Sequence, residues 1–328
     1  CEASSPEGSC GGLSLFLAIR GEEMAKPFKT YEELLLFLRD EKNLTIDNMD
    51  TARHILLKTS YFSLISGYKD TFKNPTTGKY IDGTTFDDIY RLYQFDNELR
   101  SIFLKYILIA EHSVKSSLAY HFSATYGEDQ KEYLSLSHYM IASSTQKKIQ
   151  KLISIFQYQL KRNNEYAYIN HYKSKHHNVP LWIMIQVLTL GQVSHMFDYL
   201  KASVPIKVCN DFNQIRRKDM HSFLSIMTKY RNVCAHGDRF FNYRTKDSIT
   251  DTPIHKKLHI PQVSGRYQMG KNDLFSEVII LKYLLDKEDF RNFYYELKAC
   301  LKKQAPGENI LALMGFPDNW MSILRMKC

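Results

Sequence analysis

Arg231, Asn232 and His236 stand within one short stretch, KYRNVCAHGDRFFNYR, which runs from Lys229 to Arg244. An imidazole moves protons near neutral pH. A guanidinium clamps a phosphate through two hydrogen bonds and offsets charge that builds in a transition state. Together, with no metal ligands beside them, they suit the cleavage of RNA by its own 2′-hydroxyl, which needs proton transfer and phosphate stabilisation. The plainer reading is that Arg-x4-His arises by chance and that a histidine in the last turn of a helix serves as a cap.

The element that would position these groups is a helix starting near Asp219. Rotation by about 100° per residue brings Phe223, Ile226, Met227, Tyr230, Val233 and Cys234 onto one stripe, which must face the core. Arg231, Asn232 and His236 fall off it. Asn232 and His236 are four apart and share a face, and the long Arg231 side chain bridges the gap from further round. Gly237 has the place of a helix C-terminal glycine, which sets His236 in the last turn, where the helix dipole favours an imidazolium. Beyond it, Arg239, Phe240, Phe241, Asn242, Tyr243 and Arg244 alternate cations with aromatics. That pattern suits phosphates and unstacked bases. Two readings stay open for Phe240 and Phe241, RNA contact or core.

The rest of the chain must build a scaffold for that helix. Its 328 residues are 44% apolar and 24% charged, with nine prolines and fourteen glycines. Helical spacing recurs almost throughout, so the expected fold class is mostly α, with a few short hairpins or irregular loops. Helices are expected over Thr30–Asp40, from Asp47 to about Lys58, from Phe86 to about Phe122, and from Gln146 to about Arg162. Others are expected from Pro180 to about Lys201, from an Asn272 or Asp273 cap to Leu285, and over KEDFRNFYYELKACLKK. Pro317 is placed to start a last short one. No internal repeat or interdomain linker is visible, so residues 24–328 read as one domain with 219–244 carrying the motif. The opening CEASSPEGSCGG is low in core-forming residues, and the first methionine is Met24, so residues 1–23 read as a non-native or disordered extension.

The net charge of +9 suits polyanionic partners. The six cysteines are scattered with no CxxC pair, which fits a reducing compartment without a zinc site or disulfide framework. LSLFLAI is too short to span a membrane, and the uncharged run between Lys175 and Asp198 reads as a buried helix. The expectation is a cytoplasmic protein with no membrane partner, no metal and no cofactor.

Four other stretches resemble sites and are set aside. GRYQMGKN (265–272) nearly matches a phosphate-binding loop but ends on Asn272, without the magnesium-binding hydroxyl. His171, His176 and His177 lack acidic or thiol partners at ligand spacing. LISGY lacks the first glycine of a nucleophile elbow. Asp96 and Glu98 in QFDNELR lie two apart on a helix and do not face each other; they are expected to cap, to pair with Arg100 or to stay solvated.

Four blocks occur in an order that resembles the Abi-like family of bacterial abortive-infection proteins, of the AbiD and AbiF kind. They are YFSLISGYKDTF, FDNELRSIFLKYILIAEHSVKSSLAYHFS, VPLWIMIQVLTLGQVSHMFDYLK and YRNVCAHGDRFFNYR. The resemblance covers about residues 30–244, and the tail is more similar to the AbiF branch. It implies a HEPN-type helical bundle in which an Arg-x4–6-His motif forms a metal-independent RNase site, usually completed across a homodimer. Arg231 and His236 match that arginine and histidine, and Asn232 the polar residue that follows the arginine. Where many relatives carry a second histidine, this chain has Gly237. The resemblance also implies an RNA partner, in some relatives a structured noncoding RNA.

The reading is an endoribonuclease of antiphage defence that leaves 2′,3′-cyclic phosphate and 5′-hydroxyl ends. Arg231, His236 and Asn232 would be catalytic, and Arg239, Asn242, Tyr243 and Arg244 would contact RNA. The alternatives are a non-catalytic protein that holds a noncoding RNA, and a helical module for protein partners.

Overall fold

The structure is a computed structural model that describes residues 27–161, 165–213, 215–304 and 309–326. The extension expected at residues 1–23 lies outside them. In chain order the helices are α1 (Tyr31–Leu36), α2 (Met49–Thr59), α3 (Phe86–Tyr126), α4 (Gln130–Leu134), α5 (Gln146–Lys161), α6 (Ala167–His171) and α7 (Leu181–Met184). They continue with α8 (Leu190–Tyr199), α9 (Ser203–Asn210), α10 (Arg217–His236), α11 (Pro253–Lys257), α12 (Leu274–Leu284), α13 (Lys287–Gln304) and α14 (Asn309–Leu313). A two-stranded hairpin, β1 (Gln262–Val263) with β2 (Arg266–Tyr267), is the one sheet among the described residues. The fold is mostly α, as the spacing predicts.

The 41-residue α3 is the axis of the molecule. A capping box starts it: the Thr85 hydroxyl accepts from the Asp88 amide, and the Asp88 carboxylate accepts from the Thr85 amide. Such reciprocal bonds satisfy two donors that a helix start would otherwise leave open. Gly127, at φ 99°, ends it one turn beyond the expected Phe122. Helices α7, α8, α9, α10, α12 and α13 all pack on it, and one hydrophobic cluster extends from Leu35 to Ile323.

The apolar run from Pro180 to Lys201 is two helices rather than the single one expected. It breaks at Leu188, whose backbone is extended, and Thr189 caps α8 in a box with Gln192. The Thr-x-x-Gln signature outweighs the continuous apolarity. The Gly265–Asn272 stretch, close to a phosphate-binding loop in sequence, binds its own carboxylate: the Gly270 amide donates to both Asp273 oxygens at 3.0 Å, and Asp273 caps α12. A side chain at Gly315 would collide with that carboxylate, because an added Cβ would lie 2.1 Å from the Asp273 Cγ.

Candidate active site

Helix α10 buries the expected stripe, with Phe223, Ile226, Met227, Tyr230, Val233 and Cys234 all in the core. Its end is fixed by two backbone bonds. The Asp238 amide reaches back to the Val233 carbonyl and the Gly237 amide to the Cys234 carbonyl, with Gly237 left-handed at φ 72°. This pair of bonds is the Schellman ending, which needs a residue that accepts positive φ. It stops the helix at His236. Asn232 and His236 are both exposed on the free face.

Arg231 does not stand wholly on that face. It turns toward α3 and is only 36% exposed, with Nε 3.7 Å from Glu111 Oε2. Glu111 is itself buried and holds Lys115 Nζ at 2.7 Å through its other oxygen. The motif arginine therefore rests against an acid–base pair of the axial helix.

A second pair on α3 fixes the segment just after the motif. Asp96 is fully buried and accepts from the Tyr68 hydroxyl at 2.6 Å, the Phe240 amide at 2.9 Å, the Phe241 amide at 2.7 Å and Arg100 Nη1 at 2.9 Å. Arg100 also donates to the Asp238 carbonyl at 2.8 Å. Burial raises the Asp96 carboxyl above its ordinary range, while the Tyr68 hydroxyl, the two amides and Arg100 pull it the other way. Burial, with the nearby Asp96 charge, also raises the Tyr68 hydroxyl, which stays a donor. Of the three readings left open for Asp96, pairing with Arg100 is the one found and solvation is excluded by its burial; the pair clasps the turn that follows His236.

The open choice at Phe240 and Phe241 falls to the core. Both are fully buried, Phe240 against Phe103 and Tyr230, and Phe241 stacked on Tyr68. The alternating cation–aromatic track is thus interrupted at its centre. Arg239 donates to the Gly67 carbonyl at 2.7 Å, and Arg244 lies 3.5 Å from Asp273. Tyr243 is half-buried with its ring edge-on to Tyr230, and Asn242 is half-buried. These four residues lie on one connected segment, but each arginine has an internal partner. Lys147, Lys148 and Lys151 are exposed on α5.

On the core side of α10 lies Glu277, fully buried in α12 with no hydrogen-bond partner for either oxygen among the described residues. Burial holds its carboxyl well above the usual range. Burial and this carboxyl together push the Cys234 thiol up, so Cys234 is a packing residue rather than a thiolate.

Residues 54–242, more than half of the chain, match the sequence profile of the Abi-like protein family. The chain belongs to the Abi-like family. The match takes in Glu111, Lys115, Asp96, Arg100 and the whole Arg231–His236 motif, and it ends two residues before Arg244. Membership implies a part in abortive-infection defence. No curated protein and no solved structure matches the Abi-like chain. No helix among the described residues is long and apolar enough to cross a membrane. Nor do those residues include a group of three or more His, Cys, Asp or Glu side chains placed to hold a metal ion.

Sequence reasoning missed Glu111 and Lys115 and undervalued Asp96 and Arg100. A signal for them exists. All four fall within an arc of about 100° on α3, counting 100° per residue, and that arc also carries Ile107, Val114 and Leu118. Charged residues at i, i+4 spacing inside an apolar stripe must be paired when buried.

Proposed function

We propose that this Abi-like protein is a metal-independent endoribonuclease of HEPN type, acting in the cytoplasm during abortive infection. One observation carries the reading. A helix end locked by a Schellman turn presents His236 and Asn232 to solvent, with Arg231 beside them and held by charge contact rather than buried. In this role His236 would move a proton between the ribose 2′-hydroxyl and the leaving 5′-oxygen. Arg231 would hold the scissile phosphate and offset its transition-state charge, and Asn232 would orient His236 or bond across an interface.

The motif of one chain offers one histidine, whereas this cleavage commonly uses one group to take a proton and another to give it. A two-fold interface at the exposed α10 face would set two copies of each residue around one phosphate, so the active unit is read as a homodimer. The flanking Arg239–Arg244 segment and the exposed α5 lysines would carry phosphate contacts, and a structured noncoding RNA is the proposed regulatory partner.

The test is incubation of pure protein with mixed RNA in excess EDTA, alongside His236→Ala. Cleavage by the wild type and not by the variant supports the assignment. RNA that is retained at low salt but left intact by both proteins would leave an RNA-binding protein instead. Doping the wild type with excess His236→Ala tests the shared site, since heterodimers should lower activity by more than dilution.

A further inference from the structure

The contact between Arg231 and Glu111 is unusual in being half made. Glu111 Oε2 and Arg231 Nε are both shielded from solvent, and neither has a hydrogen-bond partner among the described residues. They stand 3.7 Å apart, beyond the 2.7–3.2 Å of an N–H···O bond. An exposed arginine at that distance would be unremarkable. A shielded donor facing a shielded acceptor without bonding is costly, and such a gap calls for a cause.

The cause is Lys115. It sits one turn further along α3 and takes the other Glu111 oxygen at 2.7 Å. Lys115 and Glu111 neutralise each other, which leaves Arg231 as the uncompensated charge of the three. A carboxylate already satisfied by an ammonium attracts a second cation weakly. Its remaining oxygen can steady the guanidinium without capturing it.

Resting on the nuclease reading above, we infer that Lys115 is a positioning residue that keeps Arg231 available. By balancing Glu111, it stops the buried carboxylate from closing a charge-assisted hydrogen bond onto the motif arginine. Glu111 then acts as a rest for the guanidinium, and the ligand that competes for it is an RNA phosphate. Neither Lys115 nor Glu111 touches the reacting atoms in this scheme.

The inference predicts effects of opposite sign at two neighbouring positions. Lys115→Met leaves Glu111 uncompensated, and the Glu111–Arg231 bond should close. A charge-assisted bond of that kind is worth about 10- to 100-fold in an equilibrium, so single-turnover cleavage of RNA should fall by about that factor. Adding Glu111→Gln to Lys115→Met removes the captor and should restore most of the rate. If Lys115→Met does not fold, Lys115→Gln keeps an N–H donor for Glu111 without the charge and carries the same prediction.

The readout that does not need catalysis is the Arg231 Nε–H resonance in protein labelled with ¹⁵N-arginine, assigned through Arg231→Lys. It should move downfield and exchange more slowly in the Lys115 variants and revert in the double variant. A rate loss that Glu111→Gln does not relieve, or an Arg231 resonance indifferent to Lys115, overturns the inference. If the wild type cleaves no RNA, the nuclease reading fails, and the resonance alone then decides whether Lys115 governs Arg231.

Discussion

Helix α3 carries two acid–base pairs four residues apart, Asp96 with Arg100 and Glu111 with Lys115, and they are finished differently. Every group around Asp96 is used: one hydroxyl, two amides and a guanidinium converge on its two oxygens, and Arg100 spends a further donor on the Asp238 carbonyl. Around Glu111 one oxygen is taken by Lys115 and the other faces Arg231 without a bond. A fully satisfied buried network rigidifies what it touches, whereas the unbonded Glu111 oxygen holds Arg231 by charge alone. The first pair touches the backbone after His236, and the second touches the side chain that would meet phosphate. The same helix thus fixes the frame of the motif and leaves its arginine movable.

The sharpest way to break that contrast is to act at its open end. His236→Ala should cut RNA cleavage by about a thousandfold or more, the scale of losing an acid–base group together with its electrostatic support. The thermal midpoint should stay near that of the wild type, because His236 is exposed and the Schellman turn is made by backbone and Gly237. A matching drop in stability would mean that His236 is only a cap.

Acting on the closed pair should do the reverse. Asp96→Ala strands Arg100 and two buried amides and should cost about 3–5 kcal/mol in urea unfolding, as when one member of a buried pair is removed. A loss under about 1 kcal/mol, the size of an exposed pair, would show that the clasp is not structural. Tyr68→Phe removes one donor to the same carboxylate and should cost about 1.5–3 kcal/mol, the range for hydrogen bonds to charged groups.

Glu277 extends the comparison from a third side, as a buried acid with no hydrogen-bond partner among the described residues. Glu277→Met should stabilise the fold by about 1–3 kcal/mol, the usual cost of an unsatisfied buried polar group. The pH dependence has a definite sign. Burial raises the folded-state value above the ordinary 4.5, so the folded chain keeps a proton that the unfolded chain releases. Stability from this group is fully present below 4.5 and is lost as pH rises toward the raised value. Unfolding midpoints measured from pH 4 upward should therefore fall less steeply in Glu277→Met than in the wild type.

Much of this architecture is legible in the sequence, for physical reasons that differ by region. The stripe from Phe223 to Cys234 and the stop at Gly237 are local, one set by helical period and the other by the positive φ that glycine tolerates, and both stand as read. The Pro180–Lys201 run misled because apolarity continues through Leu188 while the Thr189–Gln192 box restarts the helix. Phe240 and Phe241 could not be assigned from alternation, since their burial depends on Asp96 lying 144 and 145 residues earlier in the chain. The helical period puts Arg231 on the free face of α10, but the side chain turns toward α3, where its charge contact is with Glu111. No spacing within the motif reports on that contact. Glu111 and Lys115 were visible only as charges inside an apolar stripe, a pattern that gains meaning once α10 is known to pack there.

The nuclease assignment itself is tested most directly by the chemistry of the ends it leaves. A single defined RNA is incubated with the purified protein in excess EDTA, and the fragments are analysed by mass spectrometry. Attack by the ribose 2′-hydroxyl, with His236 moving the proton and Arg231 holding the phosphate, predicts 2′,3′-cyclic phosphate and 5′-hydroxyl ends that disappear in His236→Ala. Fragments with 5′-phosphate ends, formed only when magnesium is restored and undiminished in His236→Ala, would contradict it.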